Sequence, residues 1–169
     1  MSYIWNAPQF FVKKVVSDMW MTFFVIVLVA IDQVVKYFVS SNLKFSGSIT
    51  VIPGLLDFIY VENRGAAFGM FQNQQWFFVV FALIMILFFV YLIKFKKLNN
   101  RVFLVSAVLI ISGGIGNLID RIFLGYVVDY MKLSFFSPVC NFADYCITFG
   151  TVILIVYIIF FNKDEKIRS

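Results

Sequence analysis

Four stretches of the chain are almost continuously apolar, and each gives way to charged or turn-forming residues. They run roughly over 19–39, 76–93, 102–118 and 145–161. A helix needs about 20 residues to cross a bilayer, so each stretch predicts one membrane span. The first is too long for the apolar part of a cleaved signal peptide. It is also interrupted by Asp32 and Lys36 and lacks a small-residue cleavage site after it. Between the first two runs, over 43–71, the pattern changes: Gly47, Pro53 and Gly54 punctuate short alternating segments, SITVI and LLDFIYVE, which predict a small β-structure. A second, shorter connection near 125–141 carries Asp129 and Pro138. No internal repeat or soluble domain interrupts this layout. The expected fold is an all-α membrane protein, with four transmembrane helices and a small extracytoplasmic β-element forming one domain over 1–169.

Composition agrees with this layout. At 62% hydrophobic and 14% charged, the 169-residue chain lies outside the range of ordinary soluble domains. The 23 Phe suit lipid-facing helix surfaces, with Tyr and Trp available for the interfacial belts. The net charge of +5 bears on orientation rather than on nucleic acid, because no basic patch is interleaved with polar sequence. Lys13 and Lys14 precede the first run, Lys94, Lys96, Lys97 and Arg101 separate the second from the third, and Lys163, Lys166 and Arg168 follow the fourth. With four spans all of these fall on one side. The positive-inside rule then puts both termini and the 94–101 loop in the cytoplasm and the two polar connections outside. There is no histidine, which excludes Ser-His-Asp and Cys-His catalysis and any His-ligated metal. Cys140 and Cys146 are too few for structural zinc and match no redox spacing. Acid–base chemistry is left to Asp, Glu, Lys, Tyr and Cys, and neither metal nor organic cofactor is expected.

The polar residues within and beside the spans form three groups. Asp32 and Lys36, in AIDQVVK, are four apart and share one helix face, so they can neutralise each other where an isolated charge would cost about 2.5–3.5 kcal/mol. In SGGIGNLIDR, Gly113, Asn117 and Arg121 recur every fourth residue as one stripe, with Asp120 at its edge. The glycines permit close helix packing. Packing does not account for Asn117 or Arg121, which point to a polar pocket where Arg121 could hold a carboxylate or a lipid phosphate. Asp129, in YVVDYM, and Asp144, three residues into the fourth run, lie on the same external side. Two explanations of Asp144 stand at this point. It could be the N3 acid of a capping box whose N-cap is Asn141. It could instead pair with Asp129, one ionised and one protonated, in the arrangement by which aspartic proteases activate water.

The ordered motifs DQVVK, NRGAAFG, GGIGNLIDR, VVDY and NFAD, spread across all four spans, resemble those of bacterial lipoprotein signal peptidase, or signal peptidase II. The resemblance covers nearly the whole chain from Asp32 to Thr148. It implies an intramembrane aspartic peptidase that removes the signal peptide from a prolipoprotein, cutting just before the cysteine that carries diacylglycerol. By resemblance Asp129 and Asp144 match the catalytic pair, and Asp32, Lys36, Asn63, Gly113, Asn117, Arg121, Asn141 and Ala143 match residues that line and support the site. The implied partners are diacylglyceryl-modified prolipoproteins and membrane lipids, with no nucleic acid. The implied location is the bacterial cytoplasmic membrane, with the site near the outer leaflet. Two departures stand out: Cys140 occupies a position where the family commonly has an aromatic residue, and about fifteen residues precede the first span. The rival class is a small proton- or ion-coupled transporter, because buried charge also marks transport paths. Against it, the polar residues cluster on one side and no ladder of them crosses to the cytoplasmic face.

Overall fold

The computed structural model describes residues 7–65, 74–96, 98 and 100–160, with side chains of the first helix from residue 19 onward. Lys97, the AAFG part of NRGAAFG and the basic residues after 160 lie outside the described residues, as do the side chains of Lys13 and Lys14. The elements run α1 (Ala7–Leu43), β1 (Ser48–Ile52), β2 (Leu56–Asn63), α2 (Gln75–Lys94), α3 (Arg101–Phe123), β3 (Val127–Leu133), β4 (Val139–Cys140) and α4 (Phe142–Phe160). All four helices contain a stretch long and apolar enough to cross a membrane. The expected architecture is therefore present, with α1 extending well beyond the predicted span at its N-terminal end.

The helices divide their labour by burial. α3 is largely enclosed, whereas α1, α2 and α4 present most of their apolar surface outward. Phe23, Phe81, Leu87 and Phe149, all exposed, illustrate the outward surface that lipid covers. Around α3, one core joins Phe89 of α2, Phe103 and Ala107 of α3, Met21 of α1 and Tyr157 of α4. Its rings meet in sequence, Phe89 stacked on Phe103 at 6.2 Å and Phe103 tilted against Tyr157 at 5.5 Å between centroids.

Helix α4 approaches α3 closely because glycine sits at both ends of the contact. At Gly150 an added Cβ would lie 2.8 Å from Ile110 Cγ1 and 2.9 Å from the Ser106 carbonyl oxygen. At Gly113 it would run into the Ala143 carbonyl, and at Gly116 it would come within 2.5 Å of Asp32 Oδ2. Gly114 differs, its nearest neighbour being Ile86 Cγ1 at 3.6 Å. Opposite outcomes are expected in thermal unfolding of the detergent-solubilised protein: Gly150→Ala should lose about 1–3 kcal/mol through overpacking. Gly114→Ala should instead be neutral or gain up to about 1 kcal/mol of helix propensity.

The second connection contributes more than the sequence suggested. It supplies β3 and β4, so the sheet has four antiparallel strands in the order β1-β2-β3-β4. The register pairs Val61 with Asp129 and Asn63 with Val127, after a shift between Phe58 and Val61. Gly125, at φ +84°, makes the tight exit from α3 that lets β3 turn onto the sheet. Val128 and Tyr130 of β3 pack on Val39 and Leu43 at the end of α1, with Phe142 at the start of α4 beside them. Gln75 Nε2, at the start of α2, donates to the Arg121 carbonyl near the end of α3 at 2.6 Å. The sheet thus caps one end of the bundle, where α1 and α3 finish and α2 and α4 begin.

Candidate active site

The polar residues singled out from sequence converge at this sheet-side end. Asp32 and Lys36 do pair, Nζ to Oδ2 at 2.9 Å, but both are buried, at 1% and 3% exposure. A third member joins them: Asp120, 2% exposed, lies 3.0 Å from the same ammonium. One lysine between two carboxylates leaves a net negative charge in a buried cluster, which is tolerable only because every oxygen finds a donor. Asp32 Oδ1 accepts from the Ala143 amide at 3.0 Å, and Asp120 Oδ2 from the Val128 amide at 3.0 Å. Gln33 Nε2 donates to both carboxylates and to the Gly116 carbonyl.

Asn117 carries this cluster toward the two external acids. Its Oδ1 accepts from Lys36 Nζ at 2.9 Å and from Asn141 Nδ2 at 3.1 Å, which leaves its Nδ2 to donate to Asp144 Oδ1 at 2.8 Å. Asn141 completes the bridge, its Nδ2 also donating to Asp129 Oδ1 at 2.6 Å. Asn63, reaching across from β2, donates to Asp129 Oδ2 at 2.8 Å. The two carboxylates chosen from sequence are thus joined through one buried asparagine, and each is held by side-chain amides.

The capping box is present as well. The Asp144 amide donates to Asn141 Oδ1 at 2.9 Å, and the Asn141 amide donates back to Asp144 Oδ2 at 3.1 Å. The two explanations of Asp144 left open by the sequence therefore do not exclude each other: cap and carboxylate pair use the same two residues.

Burial and the negative charge of Asp144 push the Asp129 carboxyl up from 3.8 to about 7, against the opposing pull of the Asn63 and Asn141 donors and of Lys36. Burial likewise pushes the Cys140 thiol up to about 11, which leaves it protonated and unreactive at neutral pH. Arg121 behaves differently from expectation. Its guanidinium lies 5.0 Å from the centre of the Phe78 ring and donates weakly to the Asn117 carbonyl at 3.4 Å. It forms no ion pair among the described residues. Its positive charge still reaches the site at longer range, being felt by Asp144, Asp129 and Asp120.

Gln33 is the component that sequence inspection passed over, and Asp120, noticed only at the edge of the stripe, is the one to which it gave no role. Asp120 sits within the GGIGNLIDR motif but one position off the four-residue stripe, and Gln33 lies between the two charges of DQVVK.

Four spans enclosing a hydrogen-bonded cluster of acids under a small sheet make this a multi-pass membrane protein of the type seen in solved bacterial membrane enzymes. Two such structures, titled "Bacterial membrane enzyme structure by the in meso method" at 2.3 Å and 1.9 Å resolution, superpose with TM-scores of 0.78 and 0.76. Both are 30% identical in sequence, covering 88% and 84% of this chain and 91% and 94% of theirs. The family model described as Signal peptidase (SPase) II matches residues 24–160. The "Lipoprotein signal peptidase" of Clostridioides difficile (strain 630) is 41% identical over 145 residues, 84% of this chain and 96% of that protein. The protein of the same name from Streptococcus thermophilus (strain CNRZ 1066) is 44% identical over 137 residues, 78% of this chain and 87% of its own length. The chain belongs to the signal peptidase II family, and so is a protease of the lipoprotein-processing pathway.

Proposed function

We propose that the protein is an intramembrane aspartic endopeptidase that removes the signal peptide from diacylglyceryl-modified prolipoproteins, cleaving before the lipid-modified cysteine, with Asp129 and Asp144 as the catalytic pair. The observation that carries this is the bridge through Asn141, which donates to Asp129 while forming the reciprocal cap with Asp144. Two carboxylates so joined share one proton across the pair, and with Asp129 drawn up to about 7 the singly protonated state is populated near neutral pH. The ionised member takes a proton from the attacking water while the protonated member donates to the scissile carbonyl oxygen. On collapse of the tetrahedral intermediate, a proton passes to the departing amine. Asn63, Asn117 and Asn141 keep both carboxyl groups in place through this exchange.

Among the described residues, buried charge is confined to the sheet-side end, while the other half of the bundle is filled by Met21, Phe89, Phe103 and Tyr157. That distribution favours hydrolysis at one membrane face over passage through the membrane. With the basic residues facing the cytoplasm, both chain ends lie inside and the carboxylate pair near the outer leaflet. A diacylglyceryl group on the substrate would hold its cysteine at this depth and convert encounter into positioning.

The test is to give the purified protein a prolipoprotein in its diacylglyceryl-modified and unmodified forms and to follow signal-peptide release. Release from the modified form at least tenfold faster is expected. Equal rates would refute lipid-dependent positioning, and release from neither would refute the peptidase assignment.

A further inference from the structure

The buried Lys36 cluster has a symmetry that the sequence does not reveal. The residue preceding each proposed catalytic acid gives its backbone amide to a carboxylate, Val128 to Asp120 and Ala143 to Asp32. Both of those carboxylates are bound to the same ammonium, at 3.0 and 2.9 Å. The chain of contacts thus runs from β3 beside Asp129, through Asp120, Lys36 and Asp32, to α4 beside Asp144. The third bond of Lys36 fixes the Asn117 amide that contacts Asp144.

We propose that Asp120 is a positioning residue for the proteolytic reaction: together with Asp32 it clamps the backbone of β3 and of α4 onto Lys36, and so sets the separation of the Asp129 and Asp144 carboxyl groups. The proposal rests on the assignment of those two acids as the catalytic pair. Hydrogen bonds from Asn141 alone leave the separation adjustable, because an asparagine side chain can rotate about its own bonds. A clamp on the peptide planes next to both acids removes that freedom. Asp120 touches neither reacting acid directly, so its effect must pass through the Val128 amide and Lys36.

The geometry makes Asp120 informative to substitute. Asp120→Ala removes both the amide acceptor and the ion pair. Asp120→Asn keeps an oxygen for the Val128 amide but removes the charge that holds Lys36, and it perturbs the fold less. Both are to be compared with wild type and Asp144→Asn in detergent, using a diacylglyceryl-modified prolipoprotein, with kcat and KM determined separately and folded fraction measured by thermal unfolding. Amide exchange at Val128 and Ala143 supplies an independent readout. For Asp120→Ala, kcat per folded molecule is expected to fall on the order of 100-fold, the size of loss that an ångström of misplacement produces. KM should stay within about twofold, since Asp120 is only 2% exposed and its oxygens are taken up by Lys36, Val128 and Gln33. Asp120→Asn should fall between Ala and wild type, and exchange should accelerate at Val128 more than at Ala143.

Three results would overturn the proposal. One is kcat per folded molecule within a few-fold of wild type in both variants while Asp144→Asn is inactive, which removes the positioning role and leaves the catalytic pair intact. Another is a loss of activity that tracks folded fraction alone, which makes Asp120 a purely structural buried charge. The last is turnover by Asp144→Asn, which removes the catalytic pair and the clamp's purpose together.

Discussion

Asp129→Asn and Asp144→Asn should each abolish signal-peptide release, and the double variant should be no worse than either. An amide preserves shape and most hydrogen bonds but cannot take a proton from water, and groups that act as a unit do not lose rate additively. The capping role of Asp144 predicts something else. An Asn at 144 can still accept from the Asn141 amide, so the helix start should lose only about 1 kcal/mol. Measuring prolipoprotein processing and thermal unfolding on the same preparations separates the two roles. Substantial turnover by Asp144→Asn would sink the catalytic pair. Loss of turnover only in step with loss of folded protein would reduce Asp144 to a cap.

The Asp129 variant carries its own pH signature. The carboxyl titrates near 7 in the folded protein, above its ordinary value of 3.8. A raised folded value means that its stability contribution is complete below about pH 4 and is lost as pH rises through about 7. Asp129→Asn removes that loss. The variant should therefore gain stability relative to wild type between pH 5 and pH 8 even as its activity disappears.

Lys36→Met should be the most destabilising single substitution in the molecule. It leaves Asp32 and Asp120 facing each other at 1% and 2% exposure without their shared cation. Removing one partner of a buried ion pair costs about 3–5 kcal/mol, and here two like charges are stranded together. A fall in Tm on the order of 10 °C is expected, with poor recovery of folded protein. Lys44→Met is the control. The pair of Lys44 with Glu62, at 3.2 Å, is partly open to solvent and should contribute less than about 1 kcal/mol. Equal losses from the two variants would show that the buried cluster is not the electrostatic centre of the fold.

The spans and the first two strands could be read directly from the chain because they depend on local pattern: long apolar runs in one case, turn residues around alternating segments in the other. β3 escaped because VVDYMKL has too little alternation to announce itself between two helices, and β4 because two residues carry no pattern at all. The site residues were legible as types. Asp129, Asp144, Asn141 and Asn117 are costly groups in an apolar chain, and the family resemblance gathered them into order. Asp120 was not legible in its role, since its partners Lys36 and Val128 are brought to it only by the packing of α3 on α1 and β3. Arg121 misled for the complementary reason. The stripe suggested a carboxylate or phosphate partner, whereas the guanidinium rests over the Phe78 ring of another helix and makes no ion pair among the described residues.

Because Asn141 and Asp144 serve at once as helix cap and as part of the carboxylate bridge, the first turn of α4 has no freedom to fray while the site stays assembled. Most helix ends open with little penalty and repeatedly. Here each opening dismantles the bridge, and each reclosure rebuilds it. With Asp129 and Asp144 as the proposed catalytic pair, protection of the first-turn amides against exchange with solvent is expected to count the same event as the fraction of molecules competent for chemistry. A ligand that merely stiffens this turn would raise that fraction, whereas an inhibitor that unwinds it would silence the enzyme without occupying the space between its acids.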